Sequence, residues 1–154
     1  MGVQRLSHIG ICVSDLERSV HFYRDALGFV ELKRISASGE QSAQLTGIEG
    51  GAIDAVFLER DGTRLELLHY PEVGVIPGDT PVPMNLPGLT HLSLRVDDFD
   101  NVISQIEAAG GSNLKHSRIE NKDWGTRAVF VTDPDGLRIE LLDLPGDPNA
   151  LPGG

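Results

Sequence analysis

The chain is poor in cysteine: Cys12 is the only one in 154 residues. A single thiol excludes an internal disulfide. Nothing in it calls for an oxidising compartment, so a cytoplasmic protein is expected. The chain is also poor in positive charge. Lys and Arg number 13 against 23 Asp and Glu, a formal net charge of −10. Nucleic-acid binding draws on clustered Lys and Arg that displace counterions, so no nucleic-acid partner is expected, and no anionic membrane surface. No apolar run approaches the roughly 20 residues of a membrane span. The opening MGVQRLSHIG lacks a basic-then-apolar leader pattern. The length suits about one domain, at roughly 100–200 residues per domain.

What is present is an internal repeat. The stretch Leu6-Ser7-His8-Ile9-Gly10-Ile11-Cys12-Val13-Ser14-Asp15-Leu16 recurs as Leu89-Thr90-His91-Leu92-Ser93-Leu94-Arg95-Val96-Asp97-Asp98-Phe99, at an offset of 83. Each copy predicts a short alternating strand, an Asp-containing cap and an amphipathic helix. The helices are expected over about 16–27 and 99–109, each closed by glycine, Gly28 and Gly110. A second match, DGTRLELL from Asp61 and DGLRIELL from Asp135, has an offset of 74. Asp-Gly between two strand-like runs is a hairpin signal. The offsets differ by 83 − 74 = 9, so the first copy carries about nine extra residues. The polar, glycine-rich stretch 36–51 has room for them as a loop.

Each half thus reads strand, helix, strand, strand, strand. The expected organisation is a single domain: module one at 5–70, a proline-rich linker at 71–88, module two at 89–143, and a flexible tail at 144–154. Neither half is large enough for its own stable core. The expected class is α+β, with two βαβββ modules sharing one curved mixed sheet and the helices outside.

Alternate residues of a strand share a face. His8 lies with Gly10 and Cys12, and His91 with Ser93 and Arg95, opposite the aliphatic residues. Glu66 and Glu140 interrupt the apolar strings LELL and IELL. A carboxylate buried there needs a partner or it takes up a proton, and a metal ion is such a partner. The repeat places one His and one Glu twice in matching register. Brought together by pseudo-twofold symmetry, His8, Glu66, His91 and Glu140 make a site for one divalent first-row transition metal.

These motifs resemble the vicinal oxygen chelate superfamily, which includes glyoxalase I, the extradiol dioxygenases, methylmalonyl-CoA epimerase and the fosfomycin and bleomycin resistance proteins. The resemblance runs from Leu6 to Leu142 through HIGICVSDLERSVHFYRDALGF, DGTRLELL, GLTHLSLRVDD and WGTRAVFVTDPDGLRIELL. It implies a U-shaped sheet around a metal (Zn, Ni, Co, Mn or Fe), often in a homodimer, with the family's ligand positions at His8, Glu66, His91 and Glu140. The ligand set is most similar to that of glyoxalase I-like members. The implied activity is a lyase or isomerase acting on a small α-oxygenated carbonyl compound. Glu140, and with it Glu66, would move the proton next to the carbonyl. Three other branches define alternatives: an Fe(II) extradiol-type dioxygenase, an epimerase-like racemase, and a sequestering resistance protein. The dioxygenases use two His and one Glu, and the epimerase typically carries Gln where this chain has Glu66.

Four further residues are candidates for substrate contact. Arg64, Arg95 and Arg138 share strand parity with the ligands and suit a substrate carboxylate. Trp124 precedes the second hairpin and is a candidate pocket wall. Cys12 is expected to face inward as a small apolar residue. His21, His69 and His116 have no repeated counterpart and are expected at the surface.

Overall fold

Helix signals, hairpin signals and strand alternation in each half produce a separate compact unit. The computed structural model describes residues 2–152, which divide into one unit up to Gly78 and one from Asp79. The first runs β1 (Ile9–Cys12), α1 (Leu16–His21), β2 (Val30–Ala37), α2 (Glu40–Thr46), β3 (Ile53–Arg60) and β4 (Thr63–His69). Asp15 starts α1 in an extended conformation, its carboxylate accepting the Arg18 N–H at 3.0 Å. That satisfies one of the donors a helix leaves open at its first turn. Asp15→Ala is expected to lower stability by about 1 kcal/mol, read as a shift in the urea midpoint.

The helical path continues from α1 into a wider π turn, Phe22–Ala26, in which the adjacent Phe22 and Tyr23 are both fully buried. Gly28, at φ +73°, ends it as the sequence predicts. Asp61 and Gly62 both take positive φ, 51° and 77°, and close the two-residue hairpin between β3 and β4. β1 then pairs with β4 in parallel, with Gly10 opposite Glu66. The sheet order is β1-β4-β3-β2. Leu65 and Leu67 of β4 are fully buried with Val56 and Leu58 of β3, on the side where α1 packs. By alternation Glu66 faces the other way.

The second unit runs β5 (Leu92–Arg95), α3 (Phe99–Ala108), β6 (Ser112–Asn113), β7 (Ile119–Asn121), β8 (Thr126–Thr132) and β9 (Arg138–Asp143). Its order is β5-β9-β8-β6, with β7 also on β8. The parallel β5–β9 register repeats that of β1–β4, placing Ser93 opposite Glu140. Ile139 and Leu141 are fully buried, in a unit whose other buried residues include Phe99, Ile103 and Ile106 of α3. The β8–β9 turn is built on Asp133, whose Oδ1 accepts the Asp135 and Leu137 N–H groups, each at 2.9 Å.

The α+β class and the repeated order stand in the structure. Three details differ from the expectation. The second unit has five strands rather than four, because β6 and β7 both pair with β8. The nine strands of the described residues fall into two hydrogen-bonded mixed sheets, four-stranded and five-stranded, rather than one continuous ladder. The stretch 36–51 is not a plain loop: β2 runs through Ala37, and α2 follows, stopped by Gly47 at φ +71°. The extra residues of the first half therefore include a helix where the second half has only a short 3-10 turn, Lys115–Ser117, between β6 and β7.

Residues 71–88 form no helix or strand. Beyond β9, the Leu144 and Ala150 carbonyls accept hydrogen bonds from Arg95. Of the expected tail, Gly153 and Gly154 lie outside the described residues. Among those described, no helix is long and apolar enough to cross a membrane.

Candidate metal centre

Each unit builds the same small constellation on the sheet face that points away from its helix. In the first, His8 immediately precedes β1, and its Nε2 lies 3.0 Å from Glu66 Oε2. The other ring nitrogen, Nδ1, is 2.9 Å from Ser7 Oγ. Phe57, which stands opposite Glu66 in the β3–β4 ladder, meets the imidazole edge-on, with centroids 5.2 Å apart and planes at 86°. The Glu66 side chain is 14% exposed and that of His8 35%. The carboxylate is therefore mostly withdrawn from water, and the ring remains partly open to it.

In the second unit His91 immediately precedes β5. Its Nδ1 is 2.8 Å from Thr90 Oγ1. Phe130, opposite Glu140 in the β8–β9 ladder, packs against the ring at 5.3 Å and 76°. The carboxylate is held differently here. Ser93 Oγ donates to Glu140 Oε2 at 2.8 Å, and His91 Nε2 stands 3.6 Å from the same oxygen, which is too far for a hydrogen bond. Gly10 occupies the position of Ser93 in the first unit, so Glu66 has no such hydroxyl beside it.

Each histidine thus stands beside the glutamate of its own unit, at 3.0 Å in the first and 3.6 Å in the second. A neutral imidazole and a carboxylate are the nitrogen and oxygen donors that divalent first-row metals take, and each pair presents one of each. Each unit by itself supplies two donors. Among the described residues there is no group of three or more His, Cys, Asp and Glu side chains that could hold a metal ion, so neither unit is a complete site alone.

The four candidates for substrate contact are placed differently from one another. Arg64 lines a pocket of about 330 Å³ together with Ser7, His8, Leu32, Lys33 and Phe57. Its Nε donates to Glu59 at 2.9 Å. Arg95 is taken up by the Leu144 carbonyl at 2.9 Å and that of Ala150 at 3.3 Å. Arg138 donates to the Val82 carbonyl. Trp124 sits in the turn before β8 and is 74% exposed. Cys12 departs from the expectation. It shares the His8 face as parity requires, but it is exposed rather than buried. His21 is exposed and paired with Asp25 at 2.6 Å, while His69 is half-buried, its Nδ1 3.3 Å from the Val13 carbonyl.

Ser7, Thr90, Ser93, Phe57 and Phe130 were not among the residues singled out from the sequence. One signal was available. A two-residue Asp61-Gly62 hairpin pairs Arg60 with Thr63, and counting back three residues places Phe57 opposite Glu66. The turn between β8 and β9 is longer, and no such count applies there.

Comparison with known proteins agrees with this architecture. The family model described as Glyoxalase/Bleomycin resistance protein/Dioxygenase superfamily matches residues 5–141. The chain is 32% identical over 139 residues to the lactoylglutathione lyase of Salmonella typhimurium, covering 90% of this chain and 92% of that protein. It is 28% identical over 144 residues to the uncharacterized protein YaeR of Escherichia coli, covering 93% and 98%. The crystal structure of a glyoxalase family protein from Bacillus cereus matches with a TM-score of 0.79 at 19% identity, covering 95% of this chain and 97% of that one. With a His–Glu pair at matching register in each unit and a family match over nearly its whole length, the chain belongs to the Glyoxalase/Bleomycin resistance protein/Dioxygenase superfamily.

Proposed function

We propose that the protein is a metal-dependent lyase or isomerase that moves a proton next to the carbonyl of a small α-oxygenated substrate. His8, Glu66, His91 and Glu140 would hold one divalent cation, drawn from Zn, Ni, Co, Mn and Fe. The observation that carries this reading is the duplicated His–Glu pair, with Nε2 and a carboxylate oxygen 3.0 Å apart in one unit and 3.6 Å apart in the other. The relatives named lactoylglutathione lyase support the same class of reaction. When bound, the cation supplies Lewis-acid polarisation of the substrate carbonyl, which acidifies the adjacent C–H.

The chain's own residues do the rest. Glu140 takes the proton from the hydroxyl-bearing carbon beside the carbonyl and returns it to the former carbonyl carbon, while the hydroxyl proton passes to the former carbonyl oxygen, with Glu66 the second carboxylate of the site. Ser93 holds Glu140 by Oε2, leaving Oε1 as the oxygen that carries the proton. A base must stand within hydrogen-bond reach of the proton it takes, and the Ser93 bond limits the positions Oε1 can sample. Phe57 and Phe130 cover one side of each imidazole. Arg64, which lines the pocket beside His8, would meet an anionic group of the substrate.

The test is elemental analysis of the purified protein followed by solvent-deuterium exchange on a panel of α-hydroxy and α-keto compounds. The expected result is a bound divalent metal and deuterium incorporated at the carbon beside the carbonyl, without oxygen consumption. Oxygen uptake with catechols, or ligand binding with no exchange on any compound, would overturn the proposal.

A further inference from the structure

The hydroxyl residue before each histidine has no part in the reading above, yet it repeats in both units. Ser7 Oγ lies 2.9 Å from His8 Nδ1, and Thr90 Oγ1 lies 2.8 Å from His91 Nδ1. Resting on the proposed metal-dependent function, we infer that Ser7 and Thr90 are positioning residues that hold each imidazole by Nδ1 and keep Nε2 as its donor atom.

The argument starts from what each group can do. An ionised carboxylate only accepts hydrogen bonds, and a neutral imidazole has one donor nitrogen and one acceptor. With Nε2 at 3.0 Å from Glu66 Oε2, a neutral His8 carries its proton on Nε2 and donates to Glu66. Nδ1 is then the acceptor, and the Ser7 hydroxyl donates to it. A cation on Nε2 requires the opposite tautomer. The proton leaves Nε2 and reappears on Nδ1 by exchange with water, so the ring stays neutral. A hydroxyl is both donor and acceptor, so Ser7 Oγ can turn about its C–O bond and accept the new Nδ1–H.

The Nδ1 bond therefore survives both states, and only the direction of donation reverses. A main-chain carbonyl at that place would accept from Nδ1–H alone and would fit only the metal-bound tautomer. Partners of this kind fix the tautomer and ring orientation of metal-binding histidines. Phe57 and Phe130 add a second restraint, since each ring packs edge-on against its histidine. The Ser7 and Thr90 interactions are local, each to the next residue in sequence, so they cost little chain entropy to set up.

Two measurements test this. The first uses metal-free protein with 15N-labelled histidine, at a pH well above the ordinary histidine range. Long-range 1H–15N spectra are expected to show His8 protonated on Nε2 and acceptor-like on Nδ1. Added Zn2+ should move the proton to Nδ1. A His8 ring already protonated on Nδ1 without metal would overturn the reversal.

The second measurement is Zn2+ affinity by competition with a chromogenic chelator. The double variant Ser7→Ala/Thr90→Ala is expected to bind about 10–100-fold more weakly. Ser7→Thr combined with Thr90→Ser keeps both hydroxyls and is expected to stay within about threefold of the unmodified protein, well inside that range. Unchanged affinity in the alanine variant would remove the hydroxyls' role and leave the metal reading intact. If the unmodified protein takes up no Zn2+ or other divalent metal, the metal reading itself falls, and this inference with it.

Discussion

Glu140→Gln, assayed at saturating metal, is expected to lower the rate of deuterium exchange by about 10²–10⁴-fold, the range that a positioned general base contributes. The substitution keeps the shape of the side chain and its acceptor oxygen. Ser93 Oγ can still donate to that oxygen, as it donates to Glu140 Oε2 at 2.8 Å. What the amide lacks is the negative charge and the capacity to take up a proton. Saturating metal separates that loss from a loss of affinity, because the neutral amide is also a poorer partner for a hard cation. Glu66→Gln makes the informative comparison. Glu66 faces His8 at 3.0 Å and has Gly10 across the ladder instead of a hydroxyl residue. Its variant is expected to lose metal affinity while keeping the larger share of turnover once metal is restored. An exchange rate for Glu140→Gln within about threefold of the unmodified protein would exclude Glu140 as the base, since base catalysis is worth far more than that.

The sequence made the two pairs legible because a repeat and a period of two are both read locally. LELL and IELL place the two flanking leucine or isoleucine positions on one face and the carboxylate on the other, and burial follows that rule: Leu65, Leu67, Ile139 and Leu141 are fully buried, while Glu66 and Glu140 are not. The hairpin at Asp61-Gly62 and the helix stop at Gly28 were equally local. Other features were not. Alternation fixes which face a residue joins but not whether anything covers that face, so Cys12 was assigned correctly to the His8 side and wrongly to the interior. Phe130 reaches His91 through the β8–β9 register, which is a tertiary fact. The stretch 36–51 was read by its glycines and polar residues, yet Glu40–Thr46 contains Ala, Leu, Glu and two Gln among its seven residues, and these are good helix formers.

The carboxylates are positioned from behind by apolar packing, so the second large effect is expected in the core. Leu67→Ala in the first unit and Leu141→Ala in the second should each lower the stability of the protein by about 2–5 kcal/mol. Both side chains are fully buried, and both lie on strands with a neighbour on either side. Leu67 is flanked by Ile11 of β1 and Val56 of β3, and Leu141 by Leu94 of β5 and Val129 of β8. Truncation removes apolar contact and leaves a void that paired strands collapse into poorly, which is why the cost exceeds the transfer energy of the lost methyl groups. The loss is large against the roughly 5–15 kcal/mol that holds a typical domain folded. Leu67→Met keeps the volume and is expected to cost less than about 1.5 kcal/mol. Urea unfolding of each variant reads these values. A second effect follows from the position of Leu67 next to Glu66: the cavity loosens β4 directly behind the carboxylate, so metal affinity is expected to fall with stability in Leu67→Ala and to be retained in Leu67→Met. A Leu67→Ala protein losing less than about 1 kcal/mol, below the usual range for a buried leucine, would mean that the core behind Glu66 is not packed as described.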